Sequence, residues 1–199
     1  MLNFFNNLDE AILLWIHHNH NTILNRLMPF ITDADNWAIP ILFLFLFLGI
    51  KGGKRGKIAL ALLIISLSLT DSICAQILKP FFERIRPSHS SIEGLNLLVS
   101  KGGKWSMPSN HAANMFSLAV ILSYFYNKIK IPIFALASLI ALSRVYVGVH
   151  YPTDIIVGGL LGYTISWIVL TLWVILKMRE LKRLQTWVWY DNDLPIFKD

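Results

Sequence analysis

The stretch SRVYVGVHYPTD, residues 143–154, joins two apolar runs at about 131–149 and 155–176. A polar segment between two such runs predicts a turn at a membrane surface. Pro152 fits the first position of the following helix, because proline lacks the N–H that this position leaves unpaired. Tyr151 precedes the proline and is therefore expected to be extended rather than helical.

Three polar residues of this turn indicate phosphoryl-transfer chemistry. His150 lies in the turn itself, and Asp154 lies in the first turn of the next helix, where its carboxylate is placed to accept a hydrogen bond from one ring nitrogen. The other nitrogen is then left unprotonated, as a nucleophile or a base. Arg144, just inside the preceding run, adds a guanidinium whose planar donors suit a phosphate.

The composition is that of a membrane protein. Of the 199 residues, 55% are hydrophobic and 15% are charged, whereas about a quarter of the residues of a soluble domain are charged. The net charge of +6 does not indicate a nucleic-acid partner, because ten of the eighteen lysines and arginines lie in three short runs beside apolar segments. The runs are Lys51, Lys54, Arg55 and Lys57; Lys128 and Lys130; and Lys177, Arg179, Lys182 and Arg183. The single cysteine, Cys74, excludes an intrachain disulfide.

The chain is expected to fold as one all-α domain over residues 1–199, a polytopic membrane helical bundle with five strong spans. The spans are predicted at 37–50, 58–82, 108–126, 131–149 and 155–176. If the basic runs are cytoplasmic, the loop 83–107 and the turn 143–154 both lie on the opposite side, and 177–199 is a cytoplasmic tail. Three aromatic residues of that tail are interpreted as interface anchors: Trp187, Trp189 and Tyr190.

The first 32 residues contain no stretch of about 20 apolar residues, which argues against a lipid-facing crossing. They are predicted to form an amphipathic or broken helix, a sixth helix that lies in the interface or against the bundle. His17, His18 and His20 raise the alternative of a metal site. No carboxylate or cysteine ligand set accompanies them, so they are interpreted as interfacial polar residues. Residues 1–10 show no basic start or cleavage site, and no removable signal peptide is expected.

A second segment, KPFFERIRP at residues 79–87, ends on the same predicted side as the turn. Lys79 and Arg86 are seven residues apart and would share one side of a continuous helix. Pro80 is a place for that helix to kink, and Pro87 is expected to set where it stops. Basic residues at span ends also extend to the interface simply to reach water. This segment alone leaves both interpretations open.

A third segment, MPSNHAAN at residues 107–114, predicts a helix that starts at Pro108. The N–H groups of Ser109, Asn110 and His111 would then point outward from the helix N-terminus and form an anion site, with Ser109 Oγ as a further donor. His111 would stand beside the bound anion, placed to protonate a leaving oxygen. On its own, this histidine would be interpreted as an interfacial residue.

Together the three segments resemble the type 2 phosphatidic acid phosphatase family, whose catalytic site is shared with the vanadium haloperoxidases. The family pattern is Lys-x6-Arg-Pro, then Pro-Ser-Gly-His, then Ser-Arg-x5-His-x3-Asp. The chain carries it as Lys79…Arg86-Pro87, then Pro108-Ser109-Asn110-His111, then Ser143-Arg144…His150…Asp154. The resemblance covers residues 79–154 by motif and the rest of the chain by the arrangement of spans.

The resemblance implies a role for each matching residue. His150 attacks phosphorus and forms a phosphohistidine, Asp154 holds the tautomer and stabilises the imidazolium, and His111 protonates the leaving oxygen and then activates water. The phosphate oxygens are bound by Lys79, Arg86, Ser109, Asn110 and Arg144. Because side-chain cations supply the positive charge, no metal and no cofactor is required.

The chain departs from the family pattern at Asn110, where the family has glycine. The backbone N–H is retained, and asparagine tolerates unusual dihedral angles better than most residues. Activity is therefore expected to survive, with a narrower pocket or an added contact to the headgroup.

The function implied by the resemblance is that of an integral membrane lipid phosphatase at the outer face of a bacterial cytoplasmic membrane. Its partners would be the bilayer and a lipid phosphate. Lipid A 1-phosphate and undecaprenyl pyrophosphate are the favoured substrates, and phosphatidylglycerol phosphate is a third candidate. A lipid-to-lipid phosphotransferase using the same phosphohistidine is the alternative. The intact set of site residues argues against a scaffold or transporter, and the spans exclude a soluble haloperoxidase.

The loop 83–107 is hypothesised to be a lid that selects the headgroup, because loops of this length are unusual unless they are functional or disordered. Its apolar run 95–99 would dip into the lipid interface, and Lys101 and Lys104 would pair with a second phosphate on the substrate. The alternative is a simple connecting loop.

Asp71 stands inside a predicted span, where a carboxylate is costly and often functional. It lies about 12 Å along a helix from Lys79, too far for direct contact. It is expected to be a buried, hydrogen-bonded group near Ser68 or Ser72 rather than a catalytic residue.

Overall fold

The computed structural model describes residues 2–183 and 185–188, and within those residues it is helical, with one isolated bridge between Ile85 and Trp105. The helices are α1 (Leu2–His18), α2 (Thr22–Thr32), α3 (Asp35–Leu46), α4 (Gly53–Ser72), α5 (Lys79–Phe82), α6 (Asn110–Phe125), α7 (Lys130–Tyr146) and α8 (Pro152–Lys182). Turns of π-helix, Phe47–Lys51 and Ile73–Leu78, extend α3 and join α4 to α5. The expected all-α class is confirmed.

Three helical segments of the described chain are long and apolar enough to cross a membrane: Gly53–Phe82, Asn127–Tyr146 and Pro152–Lys182. A fourth exists if α2 and α3, which are bent by 50° at the break between them, count as one broken span. The predicted span 37–50 is thus half of a bent pair. The predicted span 108–126 corresponds to α6, whose 16 residues are fewer than the about 20 that a bilayer core requires. The count of five spans is not reproduced.

Helix α6 lies at the centre of the bundle and packs against α4, α7 and α8. Glycines let α8 approach it closely: a Cβ at Gly162 would lie 1.9 Å from the Ala113 carbonyl oxygen, and one at Gly158 would lie 2.5 Å from that of Ser109. This approach brings the N-termini of α6 and α8 together, so that the Ser109 N–H donates to the Asp154 carbonyl at 3.0 Å.

Three buried serines tie the same helices together midway along the bundle. Ser66 of α4 lies 2.9 Å from the hydroxyl of Ser117 on α6 and 2.7 Å from that of Ser166 on α8. Ser166 and Ser117 are themselves 2.8 Å apart. The three hydroxyls therefore satisfy one another inside an apolar interior, where an unpaired hydroxyl would be costly.

Helices α1 and α2 pack against the bundle and are separated by a break at residues 19–21. Leu13 of α1 is fully buried in a cluster with Val145 and Tyr151. His17 Nδ1 accepts the Asn96 N–H at 3.3 Å, and the His20 ring stacks on Tyr146 at 4.1 Å. Among the described residues no three His, Cys, Asp or Glu side chains converge on a metal position. Burial lowers the pKa of His17 to about 4, so this ring is neutral.

The apolar run of the loop 83–107 folds onto the turn between α7 and α8. A Cβ at Gly148, whose φ is +84°, would lie 3.4 Å from Leu95 and 3.5 Å from Leu97. Leu98 donates its N–H to the Val147 carbonyl at 3.3 Å. These leucines cover part of the turn and stay half-buried, so the apolar run in the lipid interface stays a prediction.

The C-terminal tail is described only in part. Trp187 contacts Trp173 of α8, with ring centroids 6.0 Å apart, and remains 47% exposed. The predicted anchors Trp189 and Tyr190 lie outside the described residues.

Candidate active site

The turn 143–154 has the local structure that its sequence predicts. Tyr151 is extended (φ −80°, ψ 159°), and Pro152 is the first residue of α8. The N–H groups of Val149 and His150 both donate to the Arg144 carbonyl at 3.2 Å, which closes the turn. His150 is 1% exposed and Asp154 is fully buried, so the turn is part of the protein interior.

His150 and Asp154 form the expected pair. His150 Nδ1 lies 3.4 Å from Asp154 Oδ2. The same carboxylate oxygen accepts the Tyr151 N–H at 2.8 Å and a short hydrogen bond from Ser106 Oγ. Burial lowers the pKa of His150 to about 3, although Asp154 acts in the opposite direction. The ring is therefore neutral near pH 7, and its Nε2 is available as a nucleophile.

Lys79 and Arg86 donate to the same backbone carbonyl, although they do not lie on one continuous helix. Lys79 Nζ and Arg86 Nε each donate to the Trp105 carbonyl at 3.1 Å. Helix α5 already ends at Phe82, because Glu83 is left-handed with φ 46°. The expectation that Pro87 ends the helix is thus wrong by four residues. Arg86 instead lies in extended backbone, with its N–H bound to the Lys104 carbonyl at 3.1 Å.

Arg144 is held by Thr32, a residue that no local sequence pattern singles out. Its Nη1 donates to Thr32 Oγ1 at 2.6 Å and to the Thr32 carbonyl at 3.4 Å. Thr32 is the last residue of α2 and is 3% exposed. Arg144 Nε is buried and makes no hydrogen bond to the described part of the chain. One edge of the guanidinium is therefore anchored while a donor on another edge is left for a ligand.

Helix α6 begins two residues later than predicted, at Asn110, with Ser109 as its N-cap. Ser109 Oγ accepts the Ala112 N–H at 3.5 Å, which is the usual function of serine at this position. Because the Ser109 N–H donates to Asp154, it is not free for an anion. The outward N–H groups of the first turn are therefore those of Asn110 and His111. The buried Ser109 hydroxyl keeps one hydrogen to donate.

His111 lies beside the cations. Burial, and after it the charges of Arg144, Arg86 and Lys79, lower the pKa of His111 to about 4, while a hydrogen bond with the Thr32 backbone acts in the opposite direction. The ring is therefore neutral near pH 7 in the free site, and the negative charge of a bound phosphate would favour its protonated form. The structure therefore brings the following predicted residues to one end of the bundle: Lys79, Arg86, Ser109, His111, Arg144, His150 and Asp154.

The side chain of Asn110 faces helix α4 instead of the cations. Its amide donates to Asp71 Oδ1 at 2.8 Å, and its carbonyl oxygen accepts from Cys74 Sγ at 3.4 Å. Asn114 donates to the same Asp71 oxygen at 3.2 Å. Asp71 is thus hydrogen-bonded, but it is exposed, and its partners are these amides rather than neighbouring serines. The expectation of a buried carboxylate is wrong because the α4–α6 contact supplies donors near the helix surface.

Lys101 and Lys104 are exposed side chains in the loop that also carries Trp105. Lys104 Nζ stands 4.6 Å from the centroid of the Trp105 ring, a cation–π contact. Their backbone carbonyls accept from Ser88 Oγ and the Arg86 N–H. The backbone of both lysines therefore holds the segment that carries Arg86.

Arg84, which sequence reasoning missed, connects the site to α1. Its Nη1 donates to Asp154 Oδ1 at 2.9 Å, and its Nη2 donates to Asp9 Oδ2 at 2.6 Å. The available signals were a third cation in the segment 79–87 and a carboxylate one helical turn before the buried Leu13. Neither signal predicts that Arg84 and Asp9 form an ion pair.

Comparison with known proteins agrees with this arrangement. The model of the PAP2 superfamily matches residues 56–177. The lipid A 4'-phosphatase of Bacteroides thetaiotaomicron is 31% identical over 177 residues, which cover 84% of this chain and 78% of that protein. Phosphatidylglycerophosphatase B of Bacillus subtilis is 29% identical over 174 residues, 81% of each chain. The crystal structure of Aquifex aeolicus LpxE matches with a TM-score of 0.67 and 29% identity, and covers 81% of this chain and 93% of that one.

The catalytic motifs, the buried histidine–aspartate pair and these relatives agree with one another. The family match spans more than half of the chain and includes every residue of the three motifs. The chain belongs to the PAP2 superfamily and is a membrane lipid phosphatase.

Proposed function

We propose that the chain removes a phosphate group from lipid A, through a phosphohistidine on His150, at the outer face of a bacterial cytoplasmic membrane. The similarity to a lipid A 4'-phosphatase over most of both chains supports lipid A as substrate. Undecaprenyl pyrophosphate and phosphatidylglycerol phosphate are the competing substrates.

In the first half-reaction, His150 Nε2 attacks phosphorus in line with the ester oxygen. The new N–P bond forms as the P–O bond to the lipid breaks, and His111 gives its proton to the departing oxygen. The ring of His150 becomes positively charged at this point, and Asp154, 3.4 Å from Nδ1, stabilises that charge. The buried neutral state of His150 supports its role as nucleophile.

In the second half-reaction, His111 takes a proton from water, and the resulting hydroxide equivalent attacks phosphorus. The N–P bond breaks, inorganic phosphate leaves, and His150 returns to its neutral form. Lys79, Arg86 and Arg144 stabilise the negative oxygens in both transition states, together with the N–H groups at the start of α6. Because the chain itself supplies this charge, turnover does not require a metal ion.

The orientation is supported by the charges on α8. Asp154 lies in its first turn, while Arg179 and Lys182 lie in its last turn. These ends are separated by about 40 Å along the helix. Because basic residues favour the cytoplasmic side, the catalytic end belongs on the opposite side.

The decisive test is phosphate release by the purified enzyme in detergent. Lipid A bisphosphate, undecaprenyl pyrophosphate and phosphatidylglycerol phosphate are compared, and mass spectrometry shows which lipid A phosphate is lost. We expect lipid A to give the highest kcat/KM, with activity retained in excess chelator. Higher kcat/KM on another lipid would replace the proposed substrate, and phosphorylation of an acceptor lipid would identify a phosphotransferase.

The phosphohistidine is tested separately with His150→Ala and His111→Ala. His150→Ala should abolish turnover and labelling by phosphate-labelled substrate, whereas His111→Ala should slow turnover and prolong the labelled state. Residual turnover of His150→Ala above background would exclude His150 as the nucleophile.

A further inference from the structure

Arg84 binds two carboxylates, Asp9 and Asp154, that are far apart in the sequence. Asp154 Oδ1 accepts from Nη1 at 2.9 Å, and Asp9 Oδ2 accepts from Nη2 at 2.6 Å. Thr153 completes the link, because its hydroxyl accepts from Arg84 at 2.6 Å and donates to Asp9, while its N–H donates to Asp9 Oδ1 at 3.0 Å. Arg84 also lies 4.1 Å from the centroid of the Tyr151 ring.

This network is buried. Asp9 is 1% exposed, Asp154 is fully buried, and the Arg84 side chain is 16% exposed. Burying these charges is costly unless each is paired and hydrogen-bonded, which the contacts above achieve. The contacts with Arg84 and Thr153 thus explain why α1 carries a buried carboxylate where it meets α8.

The two oxygens of Asp154 have different partners. Oδ2 faces His150, Ser106 and the Tyr151 N–H, whereas Oδ1 faces Arg84. An arginine paired with Asp154 alone would form a neutral pair and weaken the field that stabilises a positively charged His150. Asp9 adds a second negative charge, so the three groups together keep a net charge of −1.

We propose that Asp9 and Arg84 are positioning residues for Asp154: Arg84 fixes the carboxylate, and Asp9 balances Arg84 so that the carboxylate still acts on His150 as an anion. This inference rests on the proposed role of the His150–Asp154 pair. It makes α1 part of the catalytic apparatus, although α1 supplies no residue to the phosphate site.

The charged groups that act directly on His150 are Asp154 of α8, Arg144 of α7 and Arg86 of the loop. Changing Asp9 or Arg84 leaves these three in place and alters only the net charge behind Asp154. That net charge is −1 in the wild type, 0 in Asp9→Asn, −2 in Arg84→Gln, and −1 again in the double variant.

The test measures kcat, KM and the pH profile for the two single variants and the double variant. In Asp9→Asn we expect kcat to fall about tenfold or more, the effect of one charge in a protein interior. KM should stay within about threefold, because the cations that bind phosphate are unchanged. The double variant should recover much of the kcat lost in Asp9→Asn, because the charge is restored.

The pH profile of kcat/KM should change in one variant only, which general structural damage would not produce. His150 must be neutral to attack, and extra negative charge in Arg84→Gln favours its protonated form. In Arg84→Gln only, kcat/KM should therefore begin to fall with decreasing pH while the pH is still above about 4. This loss at acid pH should be absent again in the double variant.

Glu10→Gln is the matched control, since it removes an exposed carboxylate from the neighbouring position of α1. It should leave kcat and the thermal midpoint unchanged. A kcat of Asp9→Asn equal to that of Glu10→Gln would overturn the inference, as would a double variant that is no better than Asp9→Asn. Asp154→Asn is measured in parallel. If it is inactive while Asp9→Asn is normal, only this inference fails, and if Asp154→Asn is fully active, the proposed mechanism itself fails.

Discussion

At the scale of single residues, Asn110 shows how a side chain can replace the family's glycine without entering the site. Its amide bridges Asp71 of α4 and the Cys74 thiol, so the part of Asn110 that faces the cations is its backbone. The substitution therefore adds a contact between α4 and α6 and leaves in place the backbone N–H that is proposed to bind the anion.

The first prediction follows from this position. Asn110→Gly should keep kcat/KM within a few-fold, because the backbone donor is unchanged. It should lower the thermal midpoint, since a hydrogen bond worth about 0.5–1.5 kcal/mol is lost and glycine weakens a helix. Phosphate release and thermal unfolding measure the two effects.

Asn114→Ala is the control for Asn110→Gly, because it removes the other amide on Asp71 from a position one turn further along α6. It should also reduce stability and leave activity unchanged. A change of tenfold or more in KM for Asn110→Gly would mean that the asparagine side chain contacts the substrate.

At the scale of elements, α2 serves the site through its last residue. The 50° bend between α2 and α3 places Thr32 against Arg144 and beside His111. The arginine is thereby held from one edge, which would lower the conformational entropy lost in the phosphate binding proposed for it.

The second prediction tests this anchoring. Thr32→Val keeps the side-chain shape but removes the hydroxyl that accepts from Arg144 Nη1 at 2.6 Å, and leaves only the Thr32 carbonyl at 3.4 Å as its acceptor. A hydrogen bond to a charged group is worth about 1.5–3 kcal/mol, so kcat/KM should fall by about tenfold or more. Thr32→Ser retains the hydroxyl and should remain close to the wild type. Equal activity of the valine and serine variants would show that Arg144 is positioned without the Thr32 hydroxyl.

The loop 83–107 provides the third prediction, which concerns substrate choice. If Lys101 and Lys104 pair with a second phosphate, then replacing both with alanine should reduce kcat/KM for bisphosphorylated lipid A by about tenfold or more. Monophosphorylated lipid A should be much less affected. Their exposure leaves both lysines accessible to such a headgroup. Equal losses on the two substrates would indicate a general attraction for anions, and no loss on either would leave the loop as a connector.

At the scale of the whole molecule, the register between α6 and α8 assembles the site. A Cβ at Gly162 would meet the Ala113 backbone at 1.9 Å, so Gly162→Ala must push the two helices apart.

The fourth prediction is that Gly162→Ala loses roughly 1–3 kcal/mol or more of stability, and most of its activity, because Ser109 and Asp154 separate. Gly103→Ala is the control, since a Cβ there has no neighbour within 4 Å and should change neither property. A fully active Gly162→Ala variant would show that the site tolerates a shift of α8.

The sequence was sufficient wherever the interaction is local. The His150–Asp154 pair follows from an i, i+4 spacing and a proline that sets the start of α8. The predicted start of α6 was wrong by two residues because Pro108 and Ser109 are both helix-start signals. In the structure Ser109 is the N-cap, and the helix begins at Asn110.

Long-range and strained features were not predictable. The path from Lys79 to Arg86 depends on Glu83 in a left-handed conformation that a residue other than glycine rarely adopts. Asp9–Arg84 and Thr32–Arg144 join residues 75 and 112 positions apart in the chain. No periodicity or spacing encodes such pairs, because only the packed bundle brings them together.

The layer of Ser66, Ser117 and Ser166 lies about 18 Å along α8 from Asp154, and its hydroxyls are hydrogen-bonded to one another. All the ionisable groups of the proposed reaction lie on one side of this layer, so the substrate phosphate enters, and phosphate and protons leave, at the same end of the bundle. Under the proposed mechanism, no charge has to cross the bilayer during turnover. The reaction would then do no electrical work against a membrane potential, which would amount to about 2.3 kcal/mol per charge at 100 mV, and we expect the same rate in an energised membrane and a depolarised one.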